Sequence, residues 1–161
     1  MPTKLTPELC YLAGIVSKTR QGERSMVGIN TTIDDVVENF VEVALKLGVD
    51  AKKIIIEDVD GVKHVYFFHS KLAKQIREIV EKQTRIFKYK NEFSSSYLAG
   101  MFDASGKVSK GKLLLSGMSA ADQMVMENLG IHTRQNSITN IQAFLGMIKG
   151  RSVIFRTQMG G

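Results

Sequence analysis

The sequence of 161 residues has a single cysteine, Cys10, which excludes an internal disulfide and a multi-cysteine zinc site. Cys10 reads as a small apolar filler on the first helix. Its three histidines, His64, His69 and His132, show no metal-ligand spacing with Cys10. His64 and His69, five apart in an expected strand, should face opposite sides. There is no P-loop and no GxGxxG string, so Gly111, Gly117 and Gly130 read as turn glycines. No apolar run reaches the ~20 residues of a membrane-spanning helix. The N-terminus carries no signal-peptide core, and a cytoplasmic protein is expected. Acids are scarce in one half only. Residues 1–86 hold 13 Lys/Arg against 12 Asp/Glu, whereas residues 87–161 hold 9 against 4 (Glu92, Asp103, Asp122 and Glu127). Of the net charge of +6, +5 therefore sits in the second half, and a basic surface favours polyanions, nucleic acid first.

What the chain does have is a repeat. Tyr11-Leu12-Ala13-Gly14-Ile15-Val16 returns as Tyr97-Leu98-Ala99-Gly100-Met101-Phe102, 86 residues later. Such a recurrence implies two similar halves, each opening on the same small-residue helix. We place them at 1–86 and 87–161. Ala13-Gly14 and Ala99-Gly100 permit close approach of two helix backbones. The expected interface between the repeat helices is Leu12, Ala13, Gly14, Leu98, Ala99 and Gly100.

The first half reads α-β-α-β-β-α, with a further strand expected around 18–24. Thr6-Pro7-Glu8 starts a helix that should stop near Gly22. A strand over Arg24–Thr31 follows, and then a helix capped by Thr31 or Thr32. Asp60-Gly61 between two β-rich runs predicts a hairpin with Val59 facing Val62, Asp58 facing Lys63 and Glu57 facing His64. Ser70 should cap the next amphipathic helix, over 71–84. Residues 85–93 are basic with interleaved aromatics, which suits either nucleic-acid contact or packing across the seam. In the second half the expectations are caps from Ser94-Ser95-Ser96, a basic hairpin over 107–115 and a helix over Ala120–Leu129. After these come a strand over His132–Ser137, a helix marked by Ile138, Ile141, Phe144, Leu145 and Ile148, and a final strand over Arg151–Thr157. No counterpart of the 71–84 helix is expected after that strand, so the second half reads as a trimmed copy.

The repeated string resembles the motif of the LAGLIDADG homing endonucleases, whose single-chain members carry it twice. The second copy continues Asp103-Ala104-Ser105-Gly106, close to the consensus, and the first continues Ser17-Lys18-Thr19-Arg20. The resemblance implies an α/β fold of two pseudo-symmetric αββαββα-like halves, with two motif helices side by side and a saddle of antiparallel sheets that lies in a DNA major groove. It also implies an acid at the eighth motif position of each copy, holding divalent metal for phosphodiester cleavage. Here those positions are Thr19 and Ser105, and no acid lies between Glu8 and Glu23. No catalytic residue and no cofactor are expected. Asp103, at the sixth position, is the nearest substitute metal ligand, but its expected role is a helix-terminal hydrogen-bond acceptor.

The expected function is binding of double-stranded DNA without cutting it, by a monomer with internal pseudo-symmetry. The DNA contacts are assigned to basic residues on expected strands or their turns: Arg24, Lys53, Lys63, Lys107, Lys110, Lys112, Arg134, Arg151 and Arg156. Two other classes stay open. One is an active homing endonuclease using Mg²⁺. The other is an RNA-binding, maturase-like helper or a protein-interaction module.

Overall fold

Thr6 and Pro7 do start the first helix. In the computed structural model, which describes residues 4–17 and 25–158, Thr6 Oγ1 accepts from the Leu9 amide at 3.1 Å and opens α1 (Pro7–Val16). The helix ends at Val16 with Ser17 as its C-cap, short of Gly22. Thr19, Arg24 and the strand expected over 18–24 lie outside the described residues. Every α1 residue from Leu9 to Val16 is buried. A helix apolar on all sides needs partners on all sides, and its main partner is the second repeat helix, α5 (Glu92–Ser105).

The pairing of these helices is set by Gly14 and Gly100. A methyl group at Gly14 would collide with the carbonyl oxygen of Tyr97, and one at Gly100 with the carbonyl oxygen of Tyr11. The two collisions are reciprocal, as an approximate twofold requires. Leu12, Ala13, Leu98 and Ala99 are fully buried at this seam. Each leucine contributes roughly 1.5–3 kcal/mol by leaving water.

Between the repeat helices the chain forms β1 (Met26–Thr31), α2 (Asp34–Lys46), a 3₁₀ turn (Ala51–Lys53), β2 (Ile55–Val59), β3 (Val62–Phe68), α3 (Ser70–Glu81) and α4 (Gln83–Ile86). After α5 come β4 (Gly106–Ser109), β5 (Lys112–Leu115), α6 (Ala120–Asn128), β6 (Thr133–Arg134), β7 (Ser137–Ile138), α7 (Ile141–Ile148) and α8 (Val153–Gln158). The strands form two antiparallel sheets, ordered β1-β3-β2 and β4-β5-β7-β6. The order β1-β3-β2 matches β5-β7-β6, so the helix that follows the second hairpin is α3 in one sheet's series and α7 in the other's. The 71–84 helix thus has a counterpart after all. The second copy is shortened in length: its outer hairpin has strands of 2 residues, against 5 and 7.

The Asp60-Gly61 hairpin has the expected register, with Val59 opposite Val62, Asp58 opposite Lys63 and Glu57 opposite His64. Its loop residues have φ of 54° and 85°, the pattern of a type I′ turn. Lys110-Gly111 repeats it at 48° and 76°. A third such turn, Gln135-Asn136 at 49° and 68°, splits the single strand expected over 132–137 into β6 and β7. It has no glycine to announce it, and Ile138 belongs to β7 rather than to α7.

Several caps differ from expectation. Ile33 is the N-cap of α2 and makes no side-chain bond, while Thr31 Oγ1 accepts from the Ile33 amide in a local turn. His69, not Ser70, caps α3, its Nδ1 accepting from the Leu72 amide at 3.0 Å. The cap of α5 is Asn91, in a capping box with Ser94, so the serine run lies inside the helix. In the 85–93 segment Phe87 packs inward within the second half, stacked on Tyr97 of α5 at 4.3 Å between ring centroids, while Tyr89 is 76% exposed.

The largest departure is at the C-terminal end. The β-branched run expected to form a strand over 151–157 is the helix α8. Asp103, on α5, accepts from the Val153 and Ile154 amides at 2.9 and 3.1 Å and from Ser152 Oγ at 2.7 Å. Ser152 Oγ in turn accepts from the Phe155 amide. A distant carboxylate thus satisfies amides that no local residue reaches, and tertiary capping overrides strand propensity.

Candidate nucleic-acid interface

Along β1, β3 and β5 side chains alternate between the core and an open face, as strand geometry dictates, while β2 is exposed throughout. In the first sheet Val27, Ile29, Val65 and Phe67 are buried. Their neighbours Met26, Gly28, Asn30, His64, Tyr66 and Phe68 lie on the other face, joined from β2 by Ile55, Glu57 and Val59. In the second sheet Leu113, Leu115 and Ile138 point to the core. Lys107, Ser109, Lys112, Leu114, Ser137 and Arg134 share the open face. Lys107, Leu114, Ser137 and Arg134 form one row across all four strands of that sheet.

These faces are joined. A groove of about 430 Å³ crosses the first sheet over Gly28, Asn30, Glu57, His64 and Tyr66. A second, of about 470 Å³, is lined by Asn30, Thr31, Thr32 and Val62 on one side and Ser105, Gly106, Lys107, Leu114 and Ser116 on the other. Asn30 lines both, so the open surface continues from one sheet to the other past the end of α5. A third hollow of about 420 Å³ gathers Ser17, Gln83, Ser105, Ser116, Ser119 and Asp122, and there the ends of both repeat helices open.

The expected DNA-contact residues divide into three groups. Lys107, Lys112 and Arg134 lie on the open face of the second sheet, with Lys110 in its turn, and all four are exposed. Lys53 lies in the 3₁₀ turn before β2. Lys63 alternates with His64 and so faces away from the first groove, where it pairs with Asp34 at 3.4 Å. Arg151 and Arg156 are not on a strand. Arg151 Nε donates to Ser96 Oγ on α5 at 3.1 Å, and Arg156 lies on α8 in a hollow lined by Asp35, Glu38 and Glu42 of α2. Sequence reasoning missed Asn30, Thr31, Thr32 and Ser116. No sequence signal marked them: Asn30 reaches the groove through the register of β1 on β3, which places it beside His64.

Comparison with solved proteins places this arrangement. The chain superposes on the crystal structure of I-DmoI in complex with DNA and Mn with a TM-score of 0.66, at 16% identity, over 89% of this chain and 97% of that one. The fold is that of a single-chain LAGLIDADG homing endonuclease. Mesophilic variants of the homing endonuclease I-DmoI give the same TM-score of 0.66, at 17% identity, over 88% of this chain and 94% of theirs. I-DmoI in complex with DNA and Ca gives 0.63, at 15% identity, over 87% and 86%. No family model matches the sequence. Among curated proteins the chain is 28% identical over 131 residues to an A-type ATP synthase protein of Methanopyrus kandleri, a match covering 77% of this chain and 13% of that protein. The chain thus spans about an eighth of that relative's length. Among the described residues no helix is long and apolar enough to cross a membrane.

In a homing-endonuclease fold the ends of the repeat helices are where a divalent ion is to be tested. Ser105, at the eighth motif position, donates its hydroxyl to the Met101 carbonyl at 3.1 Å. The Asp103 carboxylate is 3% exposed, and both oxygens are engaged: Oδ2 accepts from Tyr11 Oη at 2.6 Å and from Val153 N, Oδ1 from Ser152 Oγ and Ile154 N. Burial raises the Asp103 carboxyl above its ordinary value against the pull of these donors. Burial, then the neighbouring carboxylate, pushes the Tyr11 hydroxyl well up. Asp122, in the third hollow, forms a capping box with Ser119. Among the described residues no three Asp, Glu, His or Cys side chains are arranged to hold a metal ion. Donors already committed to protein hydrogen bonds do not fit a hard cation that needs several free oxygens.

Proposed function

We propose that the protein binds duplex DNA on the open faces of its two sheets and leaves the DNA uncut. Residues 1–86 and 87–161 act as the two repeats of one monomer. The observation that carries this reading is the basic face of the second sheet, where Lys107, Lys112 and Arg134, with Lys110 in the turn, stand together on strands that carry no acid. Long cations spaced along strands reach phosphates and guanine edges. The solved proteins of this fold include complexes with DNA, which supports the reading. Lys107, Lys110, Lys112 and Arg134 are the proposed contacts. Lys63, Arg151 and Arg156 are dropped because their partners lie elsewhere.

The absence of cutting follows from Ser105 in place of an acid and from the saturated carboxylate of Asp103. The test is a random duplex library incubated with the protein, with and without Mg²⁺ or Mn²⁺, followed by sequencing of retained and cleaved molecules. Retained duplexes with intact ends are expected. Metal-dependent ends would establish the endonuclease instead, and preferential retention of structured RNA would establish an RNA-binding helper.

A further inference from the structure

The two open faces differ in chemistry at matching positions. With the offset of 86 residues, β5 follows β1 in step, and the row through Leu114, Ser137 and Arg134 matches Gly28, Tyr66 and Ile55. Lys112 and Arg134 of the second sheet match Met26 and Ile55 of the first, so at these two described positions an apolar side chain stands in place of a cation. The next row of the first sheet is Asn30–His64–Glu57, side by side across three strands. Among its described residues this face holds no lysine or arginine and one acid.

An acid on a duplex-facing sheet repels phosphates at every sequence. It favours binding only where it meets a base donor, and the exocyclic amino group of cytosine is the one that suits a carboxylate. Glu57 is held for such a role. Tyr66 Oη donates to Glu57 Oε1 at 3.0 Å, and the Tyr66 ring sits edge-on to Phe68 at 5.9 Å between centroids. A fixed carboxylate loses little freedom on meeting a base.

We propose that the halves divide the work on the duplex: the second sheet grips phosphates, and the first reads base edges through Glu57, which selects cytosine at one position. The proposal rests on the DNA-binding reading above. Val59, 51% exposed beside Glu57, supplies an apolar surface of the kind that meets a thymine methyl.

The test compares base preference and salt dependence in the duplex-library selection for the wild-type protein, Glu57→Gln, Tyr66→Phe and Lys107→Ala. Glu57→Gln is expected to lose the cytosine preference at one position by about tenfold, with an unchanged salt slope. Tyr66→Phe releases the carboxylate and should weaken the same position. Lys107→Ala should weaken all sequences alike and lower the salt slope by about 1. If Glu57→Gln instead tightens all sequences equally, Glu57 is only a repulsive charge and the proposal falls. If the Glu57 and Tyr66 variants match wild type in preference and affinity, the first sheet does not touch the duplex. A wild-type protein that retains no duplex at low salt removes the DNA reading itself, and this one with it.

Discussion

The hydroxyl of Tyr11 donates to Asp103 Oδ2 at 2.6 Å, across 92 residues of chain and across the seam between the repeat helices. The same carboxylate holds the start of α8. One buried group thus joins the first repeat, the second repeat and the C-terminal helix.

Asp103→Asn should therefore be costly. An amide matches the carboxylate in shape, but its NH₂ turns toward groups that are themselves donors. A loss of about 2–3 kcal/mol is expected, from unmade bonds to a charged acceptor. Thermal unfolding measures the total. Hydrogen exchange should show Val153 and Ile154 losing protection before the rest. Tyr11→Phe removes one bond and should cost about 1–2 kcal/mol.

Gly14→Ala and Gly100→Ala each drive a methyl group into a backbone carbonyl that cannot rotate away. The helices would have to separate along their whole contact. Each substitution should cost at least ~2 kcal/mol, by overpacking. Gly146→Ala, with nothing near the added methyl, is the control and should leave Tm unchanged or raised. Equal Tm for all three would contradict the close packing.

Cys10 gives a pH dependence with a definite sign. Burial, with Glu92 nearby, pushes its thiol from 9.0 up to about 12. Below pH 9 the thiol is protonated in folded and unfolded chains alike, so it adds no slope. Between pH 9 and about 12 the unfolded chain loses the proton and the native one keeps it, so stability falls as pH rises. The slope is ~1.4 kcal/mol per pH unit. Cys10→Ala should lack this contribution in denaturant titrations at pH 8, 9.5 and 10.5. The native thiol should also resist alkylation at pH 8 and react once the chain unfolds.

On DNA, the triple variant of Lys107, Lys112 and Arg134 to alanine should reduce the salt slope of log K by up to ~3 and weaken binding to all sequences. Lys63→Ala and Arg156→Ala should leave the slope unchanged, because their side chains face acids away from the grooves. Filter binding across a salt series separates the two sets.

The sequence by itself determined the features that neighbours in the chain decide. Asp60-Gly61 and Lys110-Gly111 set two hairpins and their registers, since two residues at positive φ allow few alternatives. The Tyr-Leu-Ala-Gly repeat determined that two small-faced helices would pair, because Gly14 and Gly100 leave room for a backbone. Only the tertiary structure decided the rest. Val153–Gln158 is a helix because Asp103, 50 residues from Val153, caps it, and no local pattern reports a cap from that distance. Arg151 and Arg156 left the interface for the same reason. The grooves likewise combine Asn30 with Lys107 and Ser105. Local chemistry gives each residue its side of a strand, but which strands share a surface depends on how two distant helices pack.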